Sequence, residues 1–130
     1  LGGAAGTFVS PSELDTSLTF EDTRAIGATL GSGAVMVFDD ATDLKQILLR
    51  IAEFFRKETC GQCVPCRVGV TRQKEVLERL FAKRPLGSSE QELRLLQEMA
   101  QAMRDASICG LGQTASSALL SAVSRWSVFS

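Results

Sequence analysis

Apolar residues recur with a helical period over most of this chain. Across residues 43–57, Leu44, Ile47, Leu48, Ile51 and Phe55 fall on one stripe, the i, i+3, i+4, i+7 spacing of an amphipathic helix. Thr42 or Asp43 stands where a capping side chain belongs. A second helix is expected from about Cys66 or Arg67 to about Ala82. Its apolar face, Val76, Leu77, Leu80 and Phe81, is clean only in its second half. Pro85 and Gly87 then interrupt the chain. Ser89-x-x-Glu92 reads as a capping box at the start of a third helix. Along that helix Leu93, Leu96, Met99, Ala100 and Met103 share a face. Residues 108–112 read as a glycine-punctuated loop. A last helix is expected from about Thr114 to about Trp126, with Ala115, Leu119, Ala122, Val123 and Trp126 inward. Four helices with short connections predict a mainly α fold, an antiparallel four-helix bundle over residues 41–130.

Residues 1–40 lack that period. Gly2, Gly3 and Gly6 mark a loop. Thr7-Phe8-Val9 predicts a short strand closed by Ser10-Pro11, and residues 15–19 a second extended piece. Residues 23–30, broken by Gly27, carry no assignment. Ala34-Val35-Met36-Val37-Phe38, bounded by Gly33 and Asp39-Asp40, is the strongest strand in the chain. These fragments do not make an independent sheet.

Composition narrows the field. The chain has 130 residues and a formal charge of −1, the scale of one domain or a small domain with an appendage. That charge gives no electrostatic case for nucleic acid. An apolar content of 45% suffices for a packed core. No apolar run approaches the length that spans a bilayer, so direct membrane insertion is not expected. The opening LGGAAG has neither an initiator methionine nor a charged n-region, and is expected to be the cut edge of something longer rather than a signal peptide.

The chemistry lies in four cysteines. Cys60, Cys63 and Cys66 form a C-x2-C-x2-C triplet, and Cys109 follows 42 intervening residues later. There is no histidine. A triplet wrapping three corners of an iron–sulfur cube, with a remote cysteine closing the fourth, accounts for every soft ligand present. The reading is one [4Fe–4S] cluster on Cys60, Cys63, Cys66 and Cys109. Two rivals stay open. Structural zinc favours paired C-x2-C knuckles, which a triplet and a singleton do not supply. Disulfide or thioredoxin-like chemistry needs only two cysteines, and bridges within the triplet would close very small loops. Thiols committed to a reduced metal centre suit a reducing compartment.

Catalytic groups are scarce. Without histidine, acid–base work would fall to carboxylates, and no pair of them stands beside a pocket signature. Gly31-Ser32-Gly33 lacks the lysine of a phosphate loop and precedes a strand pattern, so it reads as a turn. Both cysteine segments lead into helices whose starts fall at one end of an antiparallel bundle. Gly61, Gly110 and Gly112 would let backbone amides approach sulfur closely, and helix starts favour the anionic cluster. Arg67 reads equally as a partial counter-charge or as a solvated helix-start residue. Gln113 and Thr114 read as helix caps, and Met99 and Met103 as core.

The phrases Glu58-Thr59-Cys60-Gly61-Gln62-Cys63-Val64-Pro65-Cys66-Arg67-Val68-Gly69 and Cys109-Gly110-Leu111-Gly112-Gln113-Thr114-Ala115 closely resemble one family. They look like the C-terminal iron–sulfur region of the NADH-binding flavoprotein subunit of respiratory complex I. The same module occurs in flavoprotein subunits of NAD-linked hydrogenases and formate dehydrogenases. The family phrases usually have serine where Thr59 stands, glutamate for Val68 and proline for Ser116; none is a cysteine position. The resemblance extends upstream through residues 31–39, and it implies that residues 1–40 are the remnant of a small ubiquitin-like α+β domain. It further implies an electron-transfer module: FMN on a separate domain takes hydride from NADH, and electrons pass singly through the cluster to iron–sulfur centres of a neighbouring subunit. FMN and NAD(H) would bind the parent protein outside this chain, which alone is expected to be non-catalytic. The implied partners are the flavin/NADH-binding domain and neighbouring iron–sulfur subunits. The implied location is cytoplasmic, peripheral on the inner membrane face through a complex in bacteria, or the matrix side of a mitochondrion.

Overall fold

The computed structural model describes residues 1–126, and among these the regular structure is helical. A short 3-10 turn at Pro11–Glu13 precedes α1 (Phe20–Ala25), α2 (Leu44–Glu58), α3 (Val64–Phe81), α4 (Ser89–Ala106), α5 (Gly110–Thr114) and α6 (Ser117–Arg125). Helices α2, α3, α4 and α6 form the antiparallel bundle. Asp43 starts α2 by accepting the Lys45 N–H at 3.0 Å and the Gln46 N–H at 3.4 Å. The core is built from the expected stripes: Leu48, Ile51 and Phe55 of α2, Val76, Leu77 and Leu80 of α3, Leu96, Ala100 and Met103 of α4, and Ala115, Leu119 and Ala122 around α6. Leu44, Ile47, Phe81, Leu93, Met99, Val123 and Trp126 pack at its margin. Fully burying one aliphatic side chain stabilises by about 1.5–3 kcal/mol, so these stripes supply a substantial core without a metal.

Four local expectations are corrected. Residues 7–9, 15–19 and 34–38 are not strands among the described residues. The Ala34 carbonyl accepts one bond, from the Gly2 N–H at 2.9 Å, and Val35, Met36 and Val37 are exposed. A β-branched run without a neighbour to complete a ladder stays irregular. The second helix begins at Val64, with Pro65 in its first turn, where a missing N–H costs nothing. The capping box of α4 is Ser88 with Gln91, not Ser89 with Glu92. Glu92 is drawn inward by Arg79, whose guanidinium grips both its carboxylate oxygens at 2.6 and 2.8 Å, so it cannot reach back to cap. The last helix, α6, starts at Ser117 rather than Thr114, and part of the expected loop at 108–112 belongs to a separate short helix, α5. Ser116, between them, turns its hydroxyl inward to Gln73 instead of capping α6.

The first forty residues lie against the bundle. The Phe8 N–H donates to Ser121 Oγ at 2.9 Å, and the Phe8 ring meets Trp126 edge-on at 5.7 Å between centroids. Arg125 binds Glu13 at 3.0 and 3.2 Å and donates to the Ile26 carbonyl at 2.6 Å. Between this segment and α2 lies an apolar cleft of about 560 Å³, lined by Phe8, Leu14, Val35, Phe38, Leu44 and Trp126 among others.

Candidate metal centre

The cysteine triplet occupies the short turn between α2 and α3. Thr59 ends α2, Cys63 is the residue from which α3 springs, and Cys66 lies in its first turn. Gly61 takes φ +77°, a left-handed conformation that glycine adopts without the Cβ clash other residues meet. The loop is braced locally. The Gly61 N–H donates to Thr59 Oγ1 at 3.3 Å, and the Arg67 guanidinium donates to the Gly61 carbonyl at 3.2 Å. Arg67 therefore holds the shape of the loop, a role its position in the sequence does not announce.

Cys109 arrives from the other side of the α3–α4 hairpin. It precedes α5 as Cys63 precedes α3. The Ile108 N–H donates to Cys63 Sγ at 3.4 Å across 45 positions, within reach for a sulfur acceptor. The segment carrying Cys109 is thus brought onto the triplet. Cys66 is buried, Cys63 half-buried, and Cys60 and Cys109 exposed; all four are free thiols.

Glycine sets how closely α5 seats. A Cβ placed on Gly112 would stand 2.6 Å from Ser107 Cβ and 3.0 Å from Cys66 Cβ, so any larger residue would push α5 off the first turn of α3. On the same face of α3, Gly69 lets Met103 of α4 in: a Cβ there would lie 2.6 Å from Met103 Cγ. Gln73, one further turn along, is buried and donates to Ser116 Oγ. Cys66, Gly69, Val70 and Gln73 make one continuous buried stripe. Counting apolar residues alone hides it, because glycine and glutamine carry half of it; helical spacing from Cys66 would have found it.

Gln113 and Thr114 are not caps. Gln113 Nε2 donates to the Ser107 carbonyl at 2.9 Å, and the Thr114 hydroxyl bonds back to the Gly110 carbonyl at 2.7 Å. Ser107 and Thr59 are further polar residues at the site that the periodicity did not single out. The Thr59 hydroxyl lies 3.3 Å from Cys66 Sγ. Its oxygen already accepts from Gly61, so its proton is free to point at the sulfur.

The donor set suits an iron–sulfur cube. It is all thiol, the Ile108 N–H donates to Cys63 Sγ, and the Thr59 hydroxyl lies within hydrogen-bond distance of Cys66 Sγ. Such donors stabilise sulfur that carries negative charge. Gly112 lets the segment after Cys109 seat directly on Ser107 and the turn carrying Cys66. Among the described residues no three His, Cys, Asp or Glu side chains gather closely enough for a single ion.

Residues 46–128 match the family model described as the NADH-ubiquinone oxidoreductase-F iron-sulfur binding region. The chain is 33% identical over 126 residues to the F 2 subunit of NADH-quinone oxidoreductase from Rhizobium meliloti, covering 96% of this chain and 29% of that protein. It is 31% identical over 120 residues to the NADP-reducing hydrogenase subunit HndC of Solidesulfovibrio fructosivorans, covering 92% of this chain and 24% of the relative. In three dimensions it is similar to a chain of an NAD+-reducing [NiFe]-hydrogenase in the H2-reduced state, with a TM-score of 0.80, 33% identity, 96% of this chain and 21% of the other covered. The chain therefore spans about a quarter of the length of the proteins it resembles.

Proposed function

This chain belongs to the family of the NADH-ubiquinone oxidoreductase-F iron–sulfur binding region, and on that premise we propose that Cys60, Cys63, Cys66 and Cys109 hold one [4Fe–4S] cluster in an electron-transfer module. The observation that carries the ligand set is the Ile108 N–H on Cys63 Sγ, which joins the triplet to the segment of the remote cysteine. When bound, the cluster supplies one-electron transfer.

The chain's own residues give that chemistry its setting. Cys66 anchors the site in the core, while Cys60 and Cys109 lie at the surface, the side from which an electron partner can approach. The Ile108 N–H donates to Cys63 Sγ, and the Thr59 hydroxyl would donate to Cys66 once its sulfur is a thiolate ligand, which favours the more negative, reduced state. Arg67 keeps the triplet loop in shape through Gly61.

In the whole protein, the module would relay single electrons from an NADH-reduced FMN on a separate domain to iron–sulfur centres of a neighbouring subunit. The parent would be an NADH dehydrogenase-type or NAD-linked hydrogenase or formate dehydrogenase flavoprotein subunit. This chain alone would not oxidise NADH. No helix among the described residues is long and apolar enough to cross a membrane; contact with a membrane would come through partner subunits, on its cytoplasmic or matrix face. Residues 1–40 would belong to a small ubiquitin-like domain, with 41–130 as the cluster domain. The exposed Leu14, Leu18, Phe20, Val35 and Val37 support that division, since they offer apolar surface that a fuller domain would cover.

The test is purification under argon with metal and sulfide analysis. About four irons and four sulfides per chain are expected, with a broad visible band that bleaches on reduction. Stoichiometric zinc in a colourless protein would overturn the reading. Cys109→Ser is expected to lose the four-iron cluster as fully as Cys63→Ser; a Cys109→Ser protein with full iron and an unchanged spectrum would remove Cys109 from the ligand set.

A further inference from the structure

Among the described residues, two buried side-chain oxygens have no hydrogen-bond partner, Thr7 Oγ1 and Ser107 Oγ. An unpaired buried hydroxyl costs free energy that pairing it would recover, so each orphan asks for an explanation. Thr7 is in the front segment. Ser107 ends α4, two positions before Cys109.

Every other polar group of Ser107 is fixed. Its N–H closes α4 on the Met103 carbonyl at 3.1 Å. Its carbonyl accepts from Gln113 Nε2 at 2.9 Å. The residue is 7% exposed. Its side chain and Cys66 Cβ crowd one point, the place where a Cβ on Gly112 would sit. Ser107 Oγ is therefore packed beside Gly112, next to the first turn of α3 where Cys66 lies. The next residue, Ile108, already gives its N–H to Cys63 Sγ. Burial and close packing together leave one uncommitted hydroxyl beside Gly112 and the turn of α3 that carries Cys66.

We propose that Ser107 is a positioning and tuning residue: its hydroxyl donates a hydrogen bond to sulfur of the bound cluster on the Cys66 side and raises the reduction potential. The proposal rests on the ligand set given above. With Thr59 and Ile108 it completes three protein donors around the Cys63–Cys66 half of the site. A proton donated to sulfur stabilises the reduced state, which carries one more negative charge, more than the oxidised state. Ser107 ligates nothing; it acts through the charge of the group the cysteines hold.

The experiment uses the 130-residue chain, reconstituted with iron and sulfide under argon, as wild type, Ser107→Ala and Ser107→Thr. Iron and sulfide content and the electron paramagnetic resonance of the reduced state are read first, then the midpoint potential by redox titration. Ser107→Ala is expected to load fully and to lower the equilibrium constant for one-electron reduction threefold to tenfold. That is a shift of about 30–60 mV toward more negative values, at about 59 mV per tenfold for one electron. Ser107→Thr keeps the hydroxyl and is expected to load with nearly the wild-type potential. An Ala variant that stays empty while the Thr variant loads at the wild-type potential also supports the proposal, because Thr restores the hydroxyl in spite of an added methyl in a crowded site. A fully loaded Ala variant with unchanged potential overturns it and leaves the ligand set standing. So do Ala and Thr variants that behave alike, whether both shifted or both empty. A wild-type chain that takes up no four-iron cluster overturns the ligand set, and this proposal with it.

Discussion

Arg79 and Glu92 are the residues on which the far end of the bundle depends. Glu92 is 2% exposed, receives both arms of Arg79, and also accepts the Leu86 N–H at 2.9 Å. It therefore ties α3, the connecting turn and α4 at one carboxylate. Arg79 and that amide hold the Glu92 carboxyl below its ordinary range. Removing one partner of a buried pair leaves an uncompensated charge, so Arg79→Ala is expected to destabilise the chain by about 3–5 kcal/mol, read as a lower urea midpoint with an unchanged slope. A surface pair such as Arg72 with Glu75 is expected to change stability by less than about 1 kcal/mol on the same substitution. Glu13 makes a second prediction. Its hydrogen bonds to Arg125, then to Ser10, hold its carboxyl at about 2 against an ordinary 4.5. A depressed carboxyl contributes stability in full above its unfolded value and loses it as pH falls toward the folded one. Between about pH 4.5 and 2, the front segment is expected to loosen from α6. Trp126, the single tryptophan, touches Phe8 of that segment, so its fluorescence should report the step, and Glu13→Gln should abolish it. An unchanged titration in Glu13→Gln would show that another group governs the loosening.

At the scale of elements, α5 decides whether the fourth cysteine reaches the others. Gly112→Ala is expected to force α5 away from Cys66 and Ser107, lowering cluster content at least severalfold while the far-ultraviolet helical signal persists. Gly110→Ala should be tolerated, because a Cβ there meets nothing within 4 Å. Equal iron content in the two variants would show that close seating of α5 is not required. The same helix shows where the sequence was legible and where it was not. The stripes Leu44/Ile47/Ile51, Leu77/Leu80, Leu96/Met99 and Leu119/Val123 predicted four helices because apolar burial repeats at the helical period. The cysteine spacing, together with helix starts at one end, predicted that the two cysteine segments meet. Helix α5 itself was not visible, because Gly110 and Gly112 read as a loop, and the late start of α6 goes with Ser116 meeting Gln73, a contact 43 positions apart. Nor was the true capping box, because Ser88/Gln91 and Ser89/Glu92 look alike until Arg79 claims Glu92. The strand pattern at 34–38 misled for the same reason: its residues suit a sheet, but a sheet needs a neighbouring strand, which local pattern cannot supply.

For the whole molecule, the bundle core is expected to outlast the metal. The buried stripes span α2, α3, α4 and α6, while the cysteine segments are short and carry glycines. Removing iron by chelation under reducing conditions should leave most of the far-ultraviolet helical signal, in contrast to zinc fingers, which unfold without their metal. Loss of most of that signal on removal, regained on reconstitution, would make the cluster part of the fold. The α3–α4 hairpin carries a consequence in time as well as in space. Each of its arms has 18 residues, about 27 Å at about 1.5 Å per residue, and the clamp of Arg79 and Glu92 sits at the end away from the cysteines. Contacts close in sequence form early and distant ones late. A newly made chain therefore offers three thiols as soon as the triplet turn exists, and a fourth only once the hairpin has zipped along its whole length. On the proposed ligand set, an error at the distant turn is expected to delay arrival of the fourth thiol while the triplet turn is already formed.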